Sequence, residues 1–375
     1  MQIVLLYSGS PLPAMLELGF VSASRGDDVR MILVDRHVND LSLDKALVNY
    51  PVTTISSPYN GLDARRLLSF PLTVWRIGVY LFRFARPGCV LITSTLDMLI
   101  IAKIFGWFRI TRIRHQVRDL HALQLGDGVL SQLLRAIERW LLKNCELLMY
   151  SAPAFYEKHY RALYSGPAVL LENLPRPAVW RSFKRQPRSR RGLKIGYVGI
   201  IRYLNPLLNL VDAIEVLARR GVDCSLLIAG GGDSLSLQQR VTMPERFIFK
   251  GKFEYTSAVA GLHSDVDLIF AVYDRFDPNC QLAMPTKYYE SLVTRIPILV
   301  SEGTYIGDLV ERTGVGRAVD GESVASLVGA LEEVAQPDSW YANAQAKLAA
   351  MDISAMYALY DLALARAVAP DVGSR

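Results

Sequence analysis

The feature that most limits the fold of this chain is a regular alternation of short apolar runs and helical segments. Residues 2–8 are apolar and rich in β-branched side chains, a turn and a helix to about Ser24 follow, and VRMILVD at 29–35 is a second such run. A strand–helix–strand unit of this kind builds a parallel sheet, because the helix carries the chain back to the start of the next strand. The same alternation predicts further strands at 89–94, 112–119 and 146–151 and a helix at 129–144.

A second series of the same kind begins near residue 193, with strands at 193–201, 223–232, 246–253, 267–274 and 296–301. Between the two series, residues 173–192 carry three prolines and many Arg and Lys residues, which is typical of a solvated linker. We therefore expect an α/β protein with two Rossmann-like domains that face each other across a cleft. The predicted bounds are 1–178 for the first domain, 179–192 for the linker and 193–354 for the second domain, with the terminal helix at 355–375 packing back on the first.

The composition limits the class of partner. The chain has 375 residues, a formal net charge of +6 and 51% hydrophobic residues, which is a globular composition with a preference for anionic partners. Nucleotide phosphates, anionic lipid headgroups and nucleic acid all fit this charge, but no motif that reads RNA or DNA occurs, so nucleic acid is not expected. The cysteines Cys89, Cys145, Cys224 and Cys280 have neither disulfide nor metal-ligand spacing, which favours buried thiols in a reducing cytosol.

The segment 69–87 has the pattern of a helix that lies on a bilayer. Apolar residues, Trp75 and Tyr80 alternate there with arginines at helical spacing, and charges interrupt every apolar run of the region, so a membrane span is not expected. The alternative is a core helix with a solvated basic edge. The N-terminus lacks the basic region of a signal peptide. Together these features predict a cytoplasmic protein attached peripherally to the inner face of the plasma membrane.

Candidate ligand-binding residues stand where predicted strands end. Parallel sheets bind ligands at the carboxyl ends of their strands, where helix N-termini favour phosphate. In the second domain these positions hold Gly199 and Arg202 after one strand and Gly230 and Gly231 after the next. An arginine there can clamp a diphosphate and glycines let a ligand approach the backbone, although a surface arginine and a simple turn explain the same residues.

The stretch PTKYYE at 285–290 is a stronger candidate. Pro285 and Thr286 predict the start of a helix, which places Lys287 in its first turn. A cation there opposes the helix dipole unless it neutralises a bound phosphate. Glu290 lies one turn further on, where its carboxylate can accept from two ribose hydroxyls or can merely cap the helix.

In the first domain the candidates are fewer. Arg118 and Asp119 follow the strand at 112–119, and Asp119 can serve as a base or as a partner for a sugar cation, whereas His115 and His121 are interpreted as structural. Gly9 and Ser10, after the first strand, and Asn279, in the second domain, complete the residues predicted for the acceptor side or the cleft. No metal-binding motif occurs, so no obligatory metal or other cofactor is expected.

The second domain resembles the donor domain of GT-B glycosyltransferases, particularly glycosyltransferase family 4 enzymes of bacterial capsule, O-antigen and exopolysaccharide assembly. The resemblance rests on GYVGIIR at 196–202, LLIAGGG at 226–232, FKGKF at 249–253, NCQLAMPTKYYESLVTRIPILVSE at 279–302 and YIGDLVERTGVGRAV at 305–319. It is looser in the first domain, where RDLHAL at 118–123 carries most of it.

The resemblance implies a retaining glycosyltransferase that uses a nucleoside diphosphate-sugar. Arg202 and Lys287 would contact the diphosphate and stabilise it as it leaves, Glu290 would hold the ribose, and Gly199, Gly230 and Gly231 would allow the nucleotide to approach. The first domain would bind a lipid-linked saccharide, with Asp119 beside its reactive hydroxyl.

Three positions depart from the family pattern. Leu282 replaces the first glutamate of a Glu-x7-Glu pair, no lysine follows Arg202 closely, and Arg118 stands where a histidine is frequent. These departures keep two alternatives open: a non-catalytic partner subunit with the same fold, and a sugar-nucleotide epimerase.

Overall fold

The computed structural model describes residues 1–9, 13–35, 48–56, 64–106, 112–185, 192–336 and 338–371. The chain divides into two compact units, which are Met1–Asn173 with Met356–Arg375 (unit 1) and Leu174–Ala355 (unit 2). Each unit is built on a parallel β-sheet. The predicted α/β class with two Rossmann-like sheets is therefore confirmed.

Unit 1 contains a parallel sheet whose described strands have the order β3-β2-β1-β4-β5-β6-β7. The strands are β1 (Gln2–Ser8), β2 (Asp28–Asp35), β3 (Val52–Ser56), β4 (Val90–Ser94), β5 (Arg112–Val117), β6 (Cys145–Tyr150) and β7 (Ala168–Leu170). The helices are α1 (Pro13–Ser24), α2 (Ala64–Phe84), α3 (Leu96–Gly106), α4 (Ala122–Leu125), α5 (Val129–Leu142) and α6 (Pro153–Lys158), and a 3₁₀ helix follows at Tyr160–Ala162.

Unit 2 contains a second parallel sheet, with the order β10-β9-β8-β11-β12-β13 among the described residues. Its strands are β8 (Leu193–Val198), β9 (Cys224–Ala229), β10 (Phe247–Gly251), β11 (Leu268–Ala271), β12 (Ile298–Ser301) and β13 (Gly316–Val319). Its helices are α7 (Leu204–Arg219), α8 (Ser234–Arg240), α9 (Tyr255–Ser264), α10 (Pro278–Leu282), α11 (Thr286–Thr294), α12 (Tyr305–Thr313), α13 (Val324–Glu332) and α14 (Trp340–Ala350), and α15 (Ile353–Ala367) follows.

The strand order places a switch point in each sheet. In unit 1 the chain reverses its direction across the sheet between β1 and β4, and in unit 2 between β8 and β11. Strands β1 and β8 are buried along their whole length, as expected for strands covered on both faces. Because ligands of open α/β sheets bind outside the carboxyl ends of such strands, the fold places the candidate loops where binding is expected.

Three strands were not predicted from the sequence. They are β3 and β7, at the two edges of the sheet of unit 1, and β13, at one edge of the sheet of unit 2. Strand β3 is partly exposed and polar, and β7 and β13 have only three and four residues, so none of them shows the long apolar run that identifies an internal strand. Strand β5 also ends at Val117, two residues before the predicted end.

The first residues of the predicted linker pack on unit 2. Val179 and Trp180 are buried in a cluster with Val198, Val259 and Ala260 of unit 2, although prolines and cationic residues surround them in the sequence. These two apolar side chains hold the start of the segment on unit 2. Residues 186–191 of the predicted linker lie outside the described residues.

No single described helix is both long and apolar enough to span a membrane; α14 and α15 reach that length and composition only when taken together.

The end of the chain is held on unit 1 by a buried arginine. The side chain of Arg114 is fully buried, and its guanidinium donates to the backbone oxygens of Ala367 and Ala369, both at 2.6 Å. Its Nε pairs with Glu146 Oε2 at 3.1 Å. Since α15 ends in unit 1, these bonds fix a segment remote in sequence to the sheet.

We predict that Arg114→Met lowers the free energy of unfolding of unit 1 by about 3 kcal/mol, because it breaks a buried ion pair and leaves two carbonyl groups without donors. Arg86→Met is the control, since Arg86 is 75% exposed and only 4.0 Å from Asp28, and we expect it to cost less than about 1 kcal/mol. Urea unfolding with hydrogen exchange of β5 measures both. Equal losses in the two variants would contradict the account.

Candidate active site

The chain continues to pair beyond the end of β8. The amide of Gly199 donates to Ala229 O and that of Ile201 donates to Gly231 O, both at 2.8 Å. Gly199 has a φ of +143°, which side chains rarely adopt. These bonds carry the loop past the sheet edge and place exposed Arg202 just before α7.

Glycine at position 230 is required by the neighbouring backbone. A Cβ atom built on Gly230, whose φ is +147°, would lie 1.9 Å from Gly199 O. At Gly232 it would lie 2.4 Å from Ile201 O. At Gly231 the nearest atom is Lys252 Cγ at 3.4 Å, which is ordinary contact. The first and third glycines therefore let two loops touch, a constraint that the sequence alone did not reveal.

Lys287 reaches from the first turn of α11 to the end of β8. A Cβ on Gly199 would meet its Nζ at 2.8 Å, and the ammonium lies 4.5 Å from the ring centroid of Tyr197. It donates to Tyr273 Oη at 3.1 Å. The residue is buried, and in the part of the chain that the structure describes no carboxylate forms an ion pair with it. A buried ammonium held only by aromatic groups is costly unless an anion joins it.

Glu290 lies one turn after Lys287 and is buried, with 3% of its surface exposed. The hydroxyl of Tyr255 donates to Oε1 at 2.7 Å, so the carboxylate does not cap its own helix. Atom Oε2 has no hydrogen-bond partner among the residues that the structure describes. It faces His263 Nε2 at 3.6 Å.

The state of His263 explains why Oε2 stays unsatisfied. Burial lowers the pKa of His263, although the charge of Glu290 raises it, so the ring is neutral at neutral pH. Its Nδ1 lies 3.0 Å from Val259 O and is assigned the proton, since a carbonyl can only accept. Atom Nε2 then has no proton to donate. This carboxylate oxygen is therefore a buried acceptor without a donor among the described residues.

The positive charge of Arg202 acts on the tyrosines that contact Lys287. Burial raises the pKa of Tyr273, and the charges of Glu290 and Cys280 add to it, while the positive charge of Arg202 lowers it. The same opposing effect of Arg202 acts on Tyr197. The predicted residues Gly199 and Lys287 meet at the carboxyl end of β8, and Arg202 follows four residues after that end.

Asn279 lies on α10, close to the same loops. Asp277 caps this helix, since its Oδ1 accepts from the amide of Asn279 at 2.8 Å. Its other oxygen accepts from the hydroxyl of Tyr203 at 3.2 Å. Leu282, at the position of the missing glutamate, is the last residue of α10.

The predicted residues of unit 1 lie at strand ends of their own sheet. The guanidinium of Arg118 lies over the ring of Tyr7, 4.7 Å from its centroid, and Asp119 next to it is exposed. Gly9 has a φ of +89° and its amide donates to Val34 O at 3.0 Å. Ser10 lies outside the described residues.

The two histidines of this region are structural, as interpreted from the sequence. His115 is buried with its Nδ1 2.9 Å from Thr93 Oγ1. His121 caps α4, where its Nδ1 accepts from the amide of Leu123 at 3.2 Å.

The aromatic residues of unit 2 are what sequence reasoning missed. Tyr197 and Tyr273 contact the ammonium of Lys287. Tyr255 donates to one oxygen of Glu290, and His263 lies beside the other oxygen. Tyr197 and Tyr273 lie inside the predicted strands 193–201 and 267–274, and in the structure Tyr197 is the last residue but one of β8 and Tyr273 lies two residues after β11. Among the described residues no cluster of three or more His, Cys, Asp or Glu side chains could hold a metal ion.

Comparison with known proteins identifies the fold. No protein-family model matches the chain. It is 27% identical over 266 residues to the succinoglycan biosynthesis protein ExoL of Rhizobium meliloti (strain 1021), a match that covers 66% of this chain and 64% of that relative. The chain thus matches less than two thirds of the relative's length.

Solved structures match nearly the whole chain. Sucrose-phosphate synthase from Thermosynechococcus elongatus superposes with a TM-score of 0.69 at 16% identity, covering 97% of this chain and 100% of that one. Anabaena Alr3699/HepE in complex with UDP and glucose gives 0.68 at 14% identity, covering 96% and 98%. The chain therefore has the fold of GT-B glycosyltransferases, which confirms the resemblance seen in the sequence.

We predict that Gly230→Ala lowers the free energy of unfolding of unit 2 by about 3 kcal/mol, since the new methyl group meets the carbonyl of Gly199 at a strained φ. Gly231→Ala is the matched control and costs less than about 1 kcal/mol, because its Cβ meets no close backbone atom. Urea unfolding measures both. Similar losses for the two variants would show that the contact with Gly199 is unimportant.

Proposed function

We propose that the chain is a glycosyltransferase that moves a sugar from a nucleoside diphosphate-sugar to a lipid-linked saccharide during the assembly of a bacterial surface polysaccharide. Unit 2 binds the donor and unit 1 binds the acceptor. The similarity to a succinoglycan biosynthesis protein supports the pathway class, and a neighbouring structure that contains UDP and glucose supports the donor class.

The observation that carries the proposal is the environment of Lys287. Its ammonium is buried against Gly199 and two tyrosine rings, at the start of a helix and at a switch point of the sheet. The helix dipole disfavours a cation at this end. A diphosphate bound there supplies the missing negative charge at the N-terminal end of α11.

Glu290 and Arg202 complete the donor site. The unsatisfied Oε2 of Glu290 accepts from a ribose hydroxyl, while Tyr255 holds the other oxygen and orients the group. Arg202 is exposed before α7 and reaches the diphosphate from the solvent side. Guanidinium and phosphate pair through two parallel hydrogen bonds, which suits this role.

In the reaction the bond between the anomeric carbon and the diphosphate oxygen breaks, a bond to the acceptor oxygen forms, and the proton of the acceptor hydroxyl passes to the departing diphosphate. Negative charge accumulates on the departing diphosphate, so Arg202 and Lys287 contribute most in the transition state. Asp119 orients the acceptor hydroxyl, and configuration at the anomeric carbon is retained. No step uses a metal ion.

The acceptor is lipid-linked, so the enzyme works peripherally at the inner face of the plasma membrane. The high charge of +6 and the amphipathic helix α2 support this location.

We predict that UDP or GDP raises the melting temperature of the wild-type chain and that Lys287→Met weakens this binding at least about tenfold, since a charge-assisted contact to phosphate is lost. The unliganded variant keeps or gains stability, because a buried cation has been removed. Lys250→Met, at an exposed lysine of the same unit, is the control and binds as wild type does.

The outcomes separate the functions. If Lys287→Met has a lower melting temperature but binds nucleotide as wild type does, the role of Lys287 is purely structural. If no nucleotide stabilises the wild type, the chain is a non-catalytic partner subunit. If a sugar nucleotide is converted without an acceptor, it is an epimerase.

We further predict that wild type prefers UDP over its 2′,3′-dideoxy analogue by about tenfold or more, and that Glu290→Gln loses most of this preference, because hydrogen bonds to a charged acceptor are the stronger ones. Calorimetric titration of both ligands measures it. An unchanged preference in the variant would show that Glu290 does not bind the ribose hydroxyls.

A further inference from the structure

Helix α5 exposes an apolar stripe to solvent. Leu130, Leu133, Ile137 and Trp140 are 61%, 56%, 41% and 64% exposed and follow one another at spacings of three and four residues. They therefore lie along one face of the helix. A surface helix of a soluble unit normally turns such a face inward.

The opposite face of α5 is anchored by a polar network. The carboxylate of Glu138 is buried and accepts from Gln124 Nε2 at 2.9 Å and from the hydroxyl of Tyr160 at 2.7 Å. His159 Nε2 lies 2.8 Å from its other oxygen. Because these bonds fix the rotation of the helix, the outward position of the apolar stripe is built into the fold.

Helix α2 repeats the pattern. Leu72, Trp75, Val79 and Phe82 are 49%, 64%, 49% and 57% exposed, again at spacings of three and four. Helix α3 contacts both α2 and α5, so the three helices form one layer on the sheet of unit 1. Of the sixteen large hydrophobic side chains exposed among the described residues, ten lie on these three helices.

Cationic residues border the stripe of α5. Two neighbouring pockets of about 420 and 610 Å³ share Arg139, and Lys158, Lys143 and Arg161 line one or the other. In the described part of the chain no carboxylate pairs with Lys143, Lys158 or Arg161. Each pocket is wide enough for a phosphate group.

We infer that α2, α3 and α5 form a single membrane-docking surface, in which the two stripes enter the interface of an anionic bilayer and the cations beside α5 bind lipid phosphates. Exposed tryptophans beside arginine and lysine suit the boundary between headgroups and acyl chains. The inference deepens the proposed function by giving the lipid-linked acceptor a surface on unit 1.

A second copy of the chain is a poorer occupant. In a symmetric dimer the same patch faces itself, so the unpaired cations beside α5 would approach their own counterparts. An anionic lipid surface neutralises these charges instead, and its affinity grows by about fivefold for each cation near it.

The test is co-sedimentation with vesicles of phosphatidylcholine alone or with roughly 30% phosphatidylglycerol, the anionic component that the cations require. Wild type binds the anionic vesicles and is released by salt. Ile137→Gln with Trp140→Gln lowers the partition coefficient about tenfold, since two inserted apolar side chains are lost. Lys143→Glu with Arg161→Glu abolishes the preference for anionic lipid.

The matched controls carry the same kinds of substitution at exposed residues outside the proposed surface. The variant Leu359→Gln with Leu362→Gln alters two side chains of α15 that are 69% and 67% exposed. The variant Lys250→Glu with Arg312→Glu reverses two exposed cations of unit 2. Each of these two control variants binds the vesicles as wild type does. Every variant keeps the nucleotide-induced rise in melting temperature, so a failed donor site is distinguished from a failed membrane surface.

Three results would overturn the inference. The first is no binding of wild type to anionic vesicles, and the second is equal binding by the variants of α5. The third is a lipid-free dimer, detected by sedimentation velocity, that the change at Ile137 and Trp140 dissociates, since the surface would then join two copies of the chain.

Discussion

The donor half of this protein depends on a close approach of two backbone loops at the ends of β8 and β9. Gly230 touches the carbonyl of Gly199, and hydrogen bonds from Gly199 and Ile201 continue the pairing beyond the sheet. This contact shapes the loop against which the ammonium of Lys287 rests. Because Lys287 comes from a helix that begins much later in the sequence, its position can be maintained only if the loop keeps this path.

The buried charges of the chain differ in how far the described residues satisfy them. In unit 1 the carboxylate of Glu138 has three partners and Arg114 is bonded to Glu146 and to two carbonyl groups, so both are satisfied by the protein. Among the described residues, the ammonium of Lys287 has only aromatic and hydroxyl contacts, and one oxygen of Glu290 has no donor. Buried charges that the protein satisfies stabilise a fold. Unsatisfied buried charges are typical of ligand-binding sites.

The alternation of apolar runs and helices was enough to predict the fold class, because buried parallel strands need continuous apolar sequence. The edge strands β3, β7 and β13 were not predicted, since they lack that signal. Residues 179 and 180 were assigned to the linker, although Trp180 packs against residues of unit 2 that are distant in sequence. In the site, Lys287 and Glu290 were identified from helix-start chemistry and family resemblance. The partnership of Glu290 with Tyr255 and His263, and the contact that requires Gly230, depend on tertiary packing that no local pattern encodes.

The most direct test of the central claim is a crystal structure of the chain with UDP, or with whichever nucleoside diphosphate stabilises it best. The account predicts that the diphosphate lies between the loop at Gly199 and the ammonium of Lys287, and that a ribose hydroxyl lies within hydrogen-bond distance of Glu290 Oε2. A nucleotide bound elsewhere, or one whose diphosphate leaves Lys287 untouched, would contradict it.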